Sequence, residues 1–411
     1  MAISRDRPCP AAPLPRGRAP RRPRSVTPNF GPLSLTLAAV ALASTGAGAE
    51  IISKEEMLHG ITTTRDRCAA TEQTLWLSVD KEDFCVRYYV STAGGEGTRP
   101  VVFLSGDRFG TVRNWQWVPT SKDKNAGITF DPTNPASQGD VNTNDLVKTA
   151  DAFSKLAKTT AIYLARMGVD GTSGNHVFRK TLLELHLMSA ALDALKQRYG
   201  FEGFHLAGQS GGSTLVTGLA GTRHDIGCAV SGSGRLGISG GGSAKEPART
   251  HVDPVGFVPS IAHNRFVRFF MITDSADRTV PARQQTPFAE KMRQAGRSIP
   301  QYFVTAIDDF HHGVVSYTEL VTAGCALGKS DPEIATAVGA MVKRNAAYDE
   351  QRRKETALFG KNGTARQSAE PRAGSPVPHR RQAGVINVPK QSRARRSSSA
   401  APAVPALGGS A

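Results

Sequence analysis

The chain has 411 residues, a formal net charge of +16 and a sequence pI of about 9.9. The charge sits at its ends: residues 1–30 carry seven Arg against one Asp, residues 352–411 carry twelve Lys plus Arg against two Glu, and 32 basic and 32 acidic residues remain between them. A formally neutral middle excludes a basic nucleic-acid groove as the organising feature, so no nucleic-acid partner is expected.

The first 49 residues read as a secretory signal peptide: a basic leader, the apolar run Pro32–Ala43, and the small-residue sequence Ala47-Gly48-Ala49 before Glu50. The apolar run is shorter than the ~20 residues of a membrane-spanning helix. Arg21-Arg22 lacks the rest of a twin-arginine pattern, which favours the general export route and a periplasmic or extracellular destination. Four cysteines remain after removal of Cys9, an even number suited to an oxidising compartment. Cys68 and Cys85 flank a hairpin-like region and are expected to pair, leaving Cys228 for Cys325. No Cys/His spacing points to zinc, and neither a metal nor a cofactor is expected.

Thr74–Val79 and Phe84–Tyr89 read as two strands of an antiparallel edge hairpin, and Pro100–Leu104 as the first fully apolar strand. The loop after it, Ser105 to Gly110, lies where ligands bind in open parallel sheets. Residues 111–142 lack a clear period and read as an elaborated loop in which Trp115 and Trp117 can wall an apolar pocket. A helix capped by Asn144 is expected to Leu156, then a strand over Thr160–Leu164 and a Gly-rich rim loop over 165–176. That loop carries no P-loop Lys-Ser/Thr and no dinucleotide fingerprint. From Phe178 to Arg198, Leu183, Leu187, Ala190 and Ala194 recur at helical spacing.

Phe204 to Gly208 reads as a short buried strand, Gly208-Gln209-Ser210-Gly211-Gly212 fits G-x-S-x-G, and Ser213–Ala220 follows as a helix. A serine on so sharp a turn occupies a strained backbone conformation, and its flanking positions suit residues without a Cβ. The following helix points its unpaired N–H groups at the place where an oxyanion would form. Further on, Ile226–Val230 is a strand, Ser231 opens an insertion reaching about Asn264, and Phe266–Thr273 is a strand. A helix over Pro281–Ala295, a strand over Gln301–Ala306 and a helix over Pro332–Ala347 complete the domain, which is placed at 50–351. The alternation predicts an α/β, doubly wound, mostly parallel sheet covered on both faces. Residues 352–411 are rich in Pro, Ser, Ala and Arg and are predicted to be a disordered basic tail, with weak adhesion to an anionic envelope as its one functional reading.

A nucleophilic serine needs a base and an acid that orients the base. The loop after Thr273 offers Asp274 and Asp277, and the loop after Ala306 offers His311 and His312. Ser210 in GQSGG, Asp277 in DRTVP and His312 in HHGV resemble the three catalytic motifs of the α/β-hydrolase superfamily. The likeness is to exported bacterial hydrolases of the prolyl-oligopeptidase and dienelactone-hydrolase groups, and it covers roughly Pro100 to Ala347. It implies Ser210 as nucleophile, Asp277 as acid two residues before Val-Pro, and His312, directly before Gly, as base, with His311 as its rival. It also implies oxyanion-hole donors at the N–H groups of Gly211 and Asp107, although Ser105-Gly106 departs from the family's frequent His-Gly. The expected activity is a secreted carboxylic-ester or small-amide hydrolase. The alternatives are a prolyl-oligopeptidase-like serine peptidase, disfavoured because the roughly 50 residues before Pro100 cannot make a propeller, and a non-catalytic binder on the same scaffold. The expected partner is a small ester or short peptide substrate; oligomeric state is open.

Overall fold

The computed structural model describes residues 50–108, 139–237 and 250–366. The leader, Trp115 and Trp117 and the Gly/Ser stretch at 238–249 lie outside them. The chain enters through β1 (Ile51–Ile52), which pairs antiparallel with β5 (Val141–Asn142) in a small separate sheet. Helices α1 (Lys54–His59) and α2 (Arg65–Ala70) follow β1. The side chains of Ser53 and Thr64 cap them by accepting the N–H groups of Glu56 and Arg67. Neither helix is long enough to carry a periodic stripe, so the sequence pattern missed both.

The main sheet has eight strands: β2 (Thr74–Val79), β3 (Glu82–Ser91), β4 (Val101–Leu104), β6 (Ala161–Leu164), β7 (Phe204–Gln209), β8 (Ile226–Gly232), β9 (Arg268–Asp274) and β10 (Gln301–Val304). Their spatial order is β10-β9-β8-β7-β4-β6-β3-β2. From β6 to β10 all neighbours are parallel, while β3 runs antiparallel to β6 and β2 antiparallel to β3. The edge hairpin β2–β3 turns at Asp80 and Lys81, both at positive φ (49° and 71°), the conformation that a tight two-residue hairpin turn requires. The parallel run brings the carboxyl ends of β4, β7, β9 and β10 to one edge of the sheet.

Helices cover both faces: α3 (Thr143–Ala157), α4 (Leu182–Tyr199), α5 (Gly211–Thr222), α6 (Val258–His263), α7 (Thr286–Gln294), α8 (Val315–Ala326) and α9 (Asp331–Arg366). Alternate strand residues point to opposite faces. Val102, Leu104, Leu206 and Phe269 therefore join α4, α5, α6 and α7 in one core. Val101, Phe103 and Tyr163 meet α3, and Val230, Phe270 and Ile272 meet α8 and α9. Disulfides Cys68–Cys85 and Cys228–Cys325, with Cα–Cα distances of 5.7 and 6.3 Å, tie α2 to β3 and β8 to α8.

Several boundaries differ from the sequence reading for local reasons. Helix α3 is capped by Asn142, whose side chain accepts the N–H of Asn144, so Asn144 lies inside the helix. Helix α4 starts at Leu182 behind a Thr181 cap, because His176–Phe178 form a 3-10 turn. Its buried stripe also includes Glu184, Met188, Ala191 and Leu195, while Ala190 and Ala194 are only half-buried. Pro281 precedes a 3-10 turn, and α7 begins at Thr286. Helix α8 directly follows the His311–His312 loop and was not foreseen. Helix α9 runs to Arg366, beyond the Gln351 at which the sequence reading ends the domain; Glu350 and Lys354 pair across one of its turns at 2.7 Å.

Candidate active site

Ser210 stands between β7 and α5 with φ 53° and ψ −115°, the strained turn of a nucleophile elbow. A Cβ on Gly208 would come within 2.8 Å of the Gly212 backbone, so the strand can approach the helix only without a side chain there. The Ser210 N–H donates to the Gly232 carbonyl at 2.7 Å, which pins the turn to β8.

The loops after β9 and β10 bring two histidine–carboxylate pairs to the same edge. His312 Nδ1 lies 2.9 Å from Asp277 Oδ2 and 3.1 Å from Oδ1. Asp277 is buried, and its Oδ1 also accepts the N–H groups of Thr279 and Val280, each at 2.8 Å. The loop carrying His311 and His312 wraps around Asp308, whose carboxylate accepts the N–H groups of Phe310, His312 and Gly313. Burial raises the Asp308 carboxyl, but the N–H groups of Gly313, His312 and Phe310 prevail and hold it low. Gln209 Nε2 donates to the His312 carbonyl at 2.7 Å, so the residue before Ser210 holds the histidine's main chain. His311, at φ 56°, directs Nδ1 to Asp274 Oδ2 at 3.1 Å. Asp274 accepts the N–H groups of Ala276 and Ala306 as well, at 2.8 and 2.7 Å, tying the end of β9 to that of β10. Asp274 and His311, the alternatives that the sequence offered, are thus engaged with each other.

A serine elbow at the carboxyl end of β7, an acid loop after β9 and a histidine loop after β10, on this strand order, decide the architecture. The chain has the α/β-hydrolase fold. In that fold the loop after β4 faces the elbow, and here a Cβ on Gly106 would lie 3.3 Å from Ser210 Cβ. A Cβ on Gly211 would overlap Asp107 Oδ1 and reach 2.7 Å from Arg166 Nη1, so the Asp107 side chain packs directly on the start of α5.

Around Asp107 lies a charge cluster that the sequence reading did not foresee. Asp107 Oδ1 accepts from Arg166 Nη1 at 2.8 Å, and its Oδ2 from Lys180 Nζ at 2.7 Å and Arg179 Nε at 3.1 Å. Burial would raise this carboxyl, yet Lys180, Arg166 and Arg179 together hold it well below the usual carboxylate range. Arg166, wholly buried at the end of β6, forks onto Glu184 through Nε and Nη2 at 3.0 and 2.9 Å. The neighbouring Arg108 pairs with Asp170 at 2.7 Å and donates to Tyr163 Oη at 3.2 Å. Burial, reinforced by Arg166, pushes His176 well below its ordinary value and keeps its ring neutral beside these cations. One signal was available: Glu184 shares the α4 stripe with Met188, Ala191 and Leu195, and a charge on a buried stripe demands a partner. Among the described residues no group of three His, Cys, Asp or Glu side chains could hold a metal ion, and no helix is long and apolar enough to cross a membrane.

No protein-family model matches the sequence, and no curated protein matches it. Among solved structures, the chain is similar to an esterase from Pyrococcus furiosus, at 12% identity over 65% of this chain and 94% of that one, with a TM-score of 0.41. It is similar also to a Butyrivibrio proteoclasticus protein with bound ferulic acid, at 12% identity over 62% of this chain and 97% of that one, TM-score 0.37. An acylaminoacyl peptidase from Pyrococcus horikoshii matches at 11% identity over 60% of this chain and 38% of its own, TM-score 0.39.

Proposed function

We propose that the protein is a serine hydrolase that cleaves carboxylic esters or small amides through an acyl-enzyme. The observation that carries this reading is the orientation of His312. With Nδ1 turned to a buried carboxylate, the neutral imidazole carries its proton there and leaves Nε2 unprotonated for the Ser210 hydroxyl. Ser210 Oγ attacks the acyl carbon as its proton passes to His312 Nε2. Asp277 stabilises the imidazolium, which then protonates the leaving group, and water repeats the cycle to release the acid. The N–H groups of Gly211 and Asp107 are the proposed donors to the oxyanion. The Ser210 backbone strain supports the same reading, because a strained turn persists only where the surrounding structure enforces it. The leader and the two disulfides support action outside the cytoplasm.

The test is turnover of a series of p-nitrophenyl acyl esters by the protein and by Ser210→Ala. The reading expects hydrolysis that falls on the order of 10³-fold or more in the variant. Turnover within a few fold of the parent would reject it.

A further inference from the structure

We infer that Arg166, clamped by Glu184, is a positioning residue that sets the geometry of the oxyanion loop; this rests on the reading of Asp107 N–H as an oxyanion donor. The loop after β4 is gripped at consecutive side chains, Asp107 by Arg166, Arg179 and Lys180, and Arg108 by Asp170. All the gripping groups come from residues 166–180, the segment between β6 and α4. Arg166 also holds the loop's main chain, donating through Nη1 to the Ser105 carbonyl at 3.2 Å. The same nitrogen packs beside Gly211, whose N–H is the other proposed donor, so one guanidinium lies against both walls of the oxyanion site.

Glu184 makes this guanidinium immobile. Its two oxygens take Arg166 Nε and Nη2, which fixes the plane of the fork and aims Nη1 at the loop. Glu184 also accepts the N–H of Lys180 and so holds the backbone that carries the other two cations. Both Arg166 and Glu184 are fully buried. A buried ion pair adds little stability over well-packed apolar side chains of the same volume, so its directional hydrogen bonds are what an apolar pair could not replace. Arg166 is too deep to touch a substrate and acts only through the loop.

The oxyanion is absent from the bound substrate and develops only as the acyl carbon becomes tetrahedral, so a loosened loop lowers kcat and leaves KM nearly unchanged. The experiment compares the whole protein with Arg166→Lys, which keeps the charge and loses the fork. Glu184→Gln and the apolar pair Arg166→Met/Glu184→Leu carry the test if the lysine variant does not fold. Each is assayed for kcat, KM, thermal midpoint and affinity for a trifluoromethyl ketone, which forms an oxyanion on Ser210. The expected result is a kcat lower by about 10- to 100-fold, KM within about two-fold, and ketone affinity weakened in parallel with kcat/KM. Folded variants that keep kcat and ketone affinity within two-fold would overturn the inference. So would a fall in kcat and thermal midpoint with unchanged ketone affinity, the mark of a merely structural role. Absence of Ser210-dependent turnover in the unmodified protein would instead sink the hydrolase reading, and this inference with it.

Discussion

Glu319 offers a test of the packing between helices that needs no substrate. It lies on the α8 stripe with Val315, Ala323 and Ala326, which pack into the cluster formed by Leu146, Ala150 and Phe153 of α3. Burial alone pushes its carboxyl up from the ordinary 4.5 to about 7. Between those values the folded protein holds a proton that the unfolded chain has released, so stability falls as pH rises from 4.5 to 7 and levels off above. One pH unit of displacement is worth about 1.4 kcal/mol, which sets a ceiling of roughly 3 kcal/mol. Residual solvent contact lowers the expected loss to about 1–2 kcal/mol, or roughly 2–4 °C in a domain of this size. Thermal unfolding of the protein and of Glu319→Gln should be followed from pH 4.5 to 8. The two midpoints are expected to lie close together at the acid end, with the glutamine variant ahead by a few degrees at pH 8. A gap that stays constant with pH, or one that moves in favour of the unmodified protein, would refute the assignment.

The two histidine–carboxylate pairs should separate in kinetics: Asp277→Asn is expected to lower kcat by about 10³- to 10⁴-fold, and Asp274→Asn by about ten-fold or less. Equal losses, or the reverse order in an ester assay, would make His311 the base. Gly211→Ala forces a methyl group onto Asp107 and Arg166 and should lower kcat at least about 10²-fold, whereas near-normal turnover would show that the loop yields freely. Reduction of Cys228–Cys325, which closes 97 residues of chain, should cost about 4–5 kcal/mol in unfolding by denaturant; an unchanged midpoint would contradict that. A chain ending at Gln351 should keep its turnover and thermal midpoint, while the full chain alone binds anionic vesicles in a salt-sensitive way. Loss of activity in the shortened protein would mean that the later turns of α9 support the domain.

Much of the fold was legible because its strands are short apolar runs bounded by glycine and polar turns. Thr74–Val79 matched to the residue, and Ile226–Val230 needed only a two-residue extension. The elbow was legible for a further reason: glycines at 208, 211 and 212 are demanded by backbone and side-chain contacts too close for any Cβ. Helix α8 was hidden because the face formed by Tyr317, Thr318, Val321, Thr322 and Cys325 includes two threonines and so reads as a weak apolar stripe, while Ala323 is buried on the other side. The choice of Asp277 and His312 from DSADRTVP and DDFHHG rested on the resemblance alone, through Val-Pro and Gly, since both loops present two candidates at similar spacing. The contact from Gln209 to the His312 carbonyl joins segments far apart in the chain and could not be read from either stretch. The Arg166–Glu184–Asp107 cluster joins three separate segments, and only the fold could bring those charges together.

The most direct measurement is the site of modification by a fluorophosphonate probe, read by peptide mass spectrometry on the protein. A serine hydrolase with this geometry should carry one phosphonate, on the peptide containing Ser210. The adduct should vanish in Ser210→Ala, form much more slowly in His312→Ala, and form at a near-normal rate in His311→Ala. Modification at another residue, or labelling undiminished by Ser210→Ala, would contradict the account.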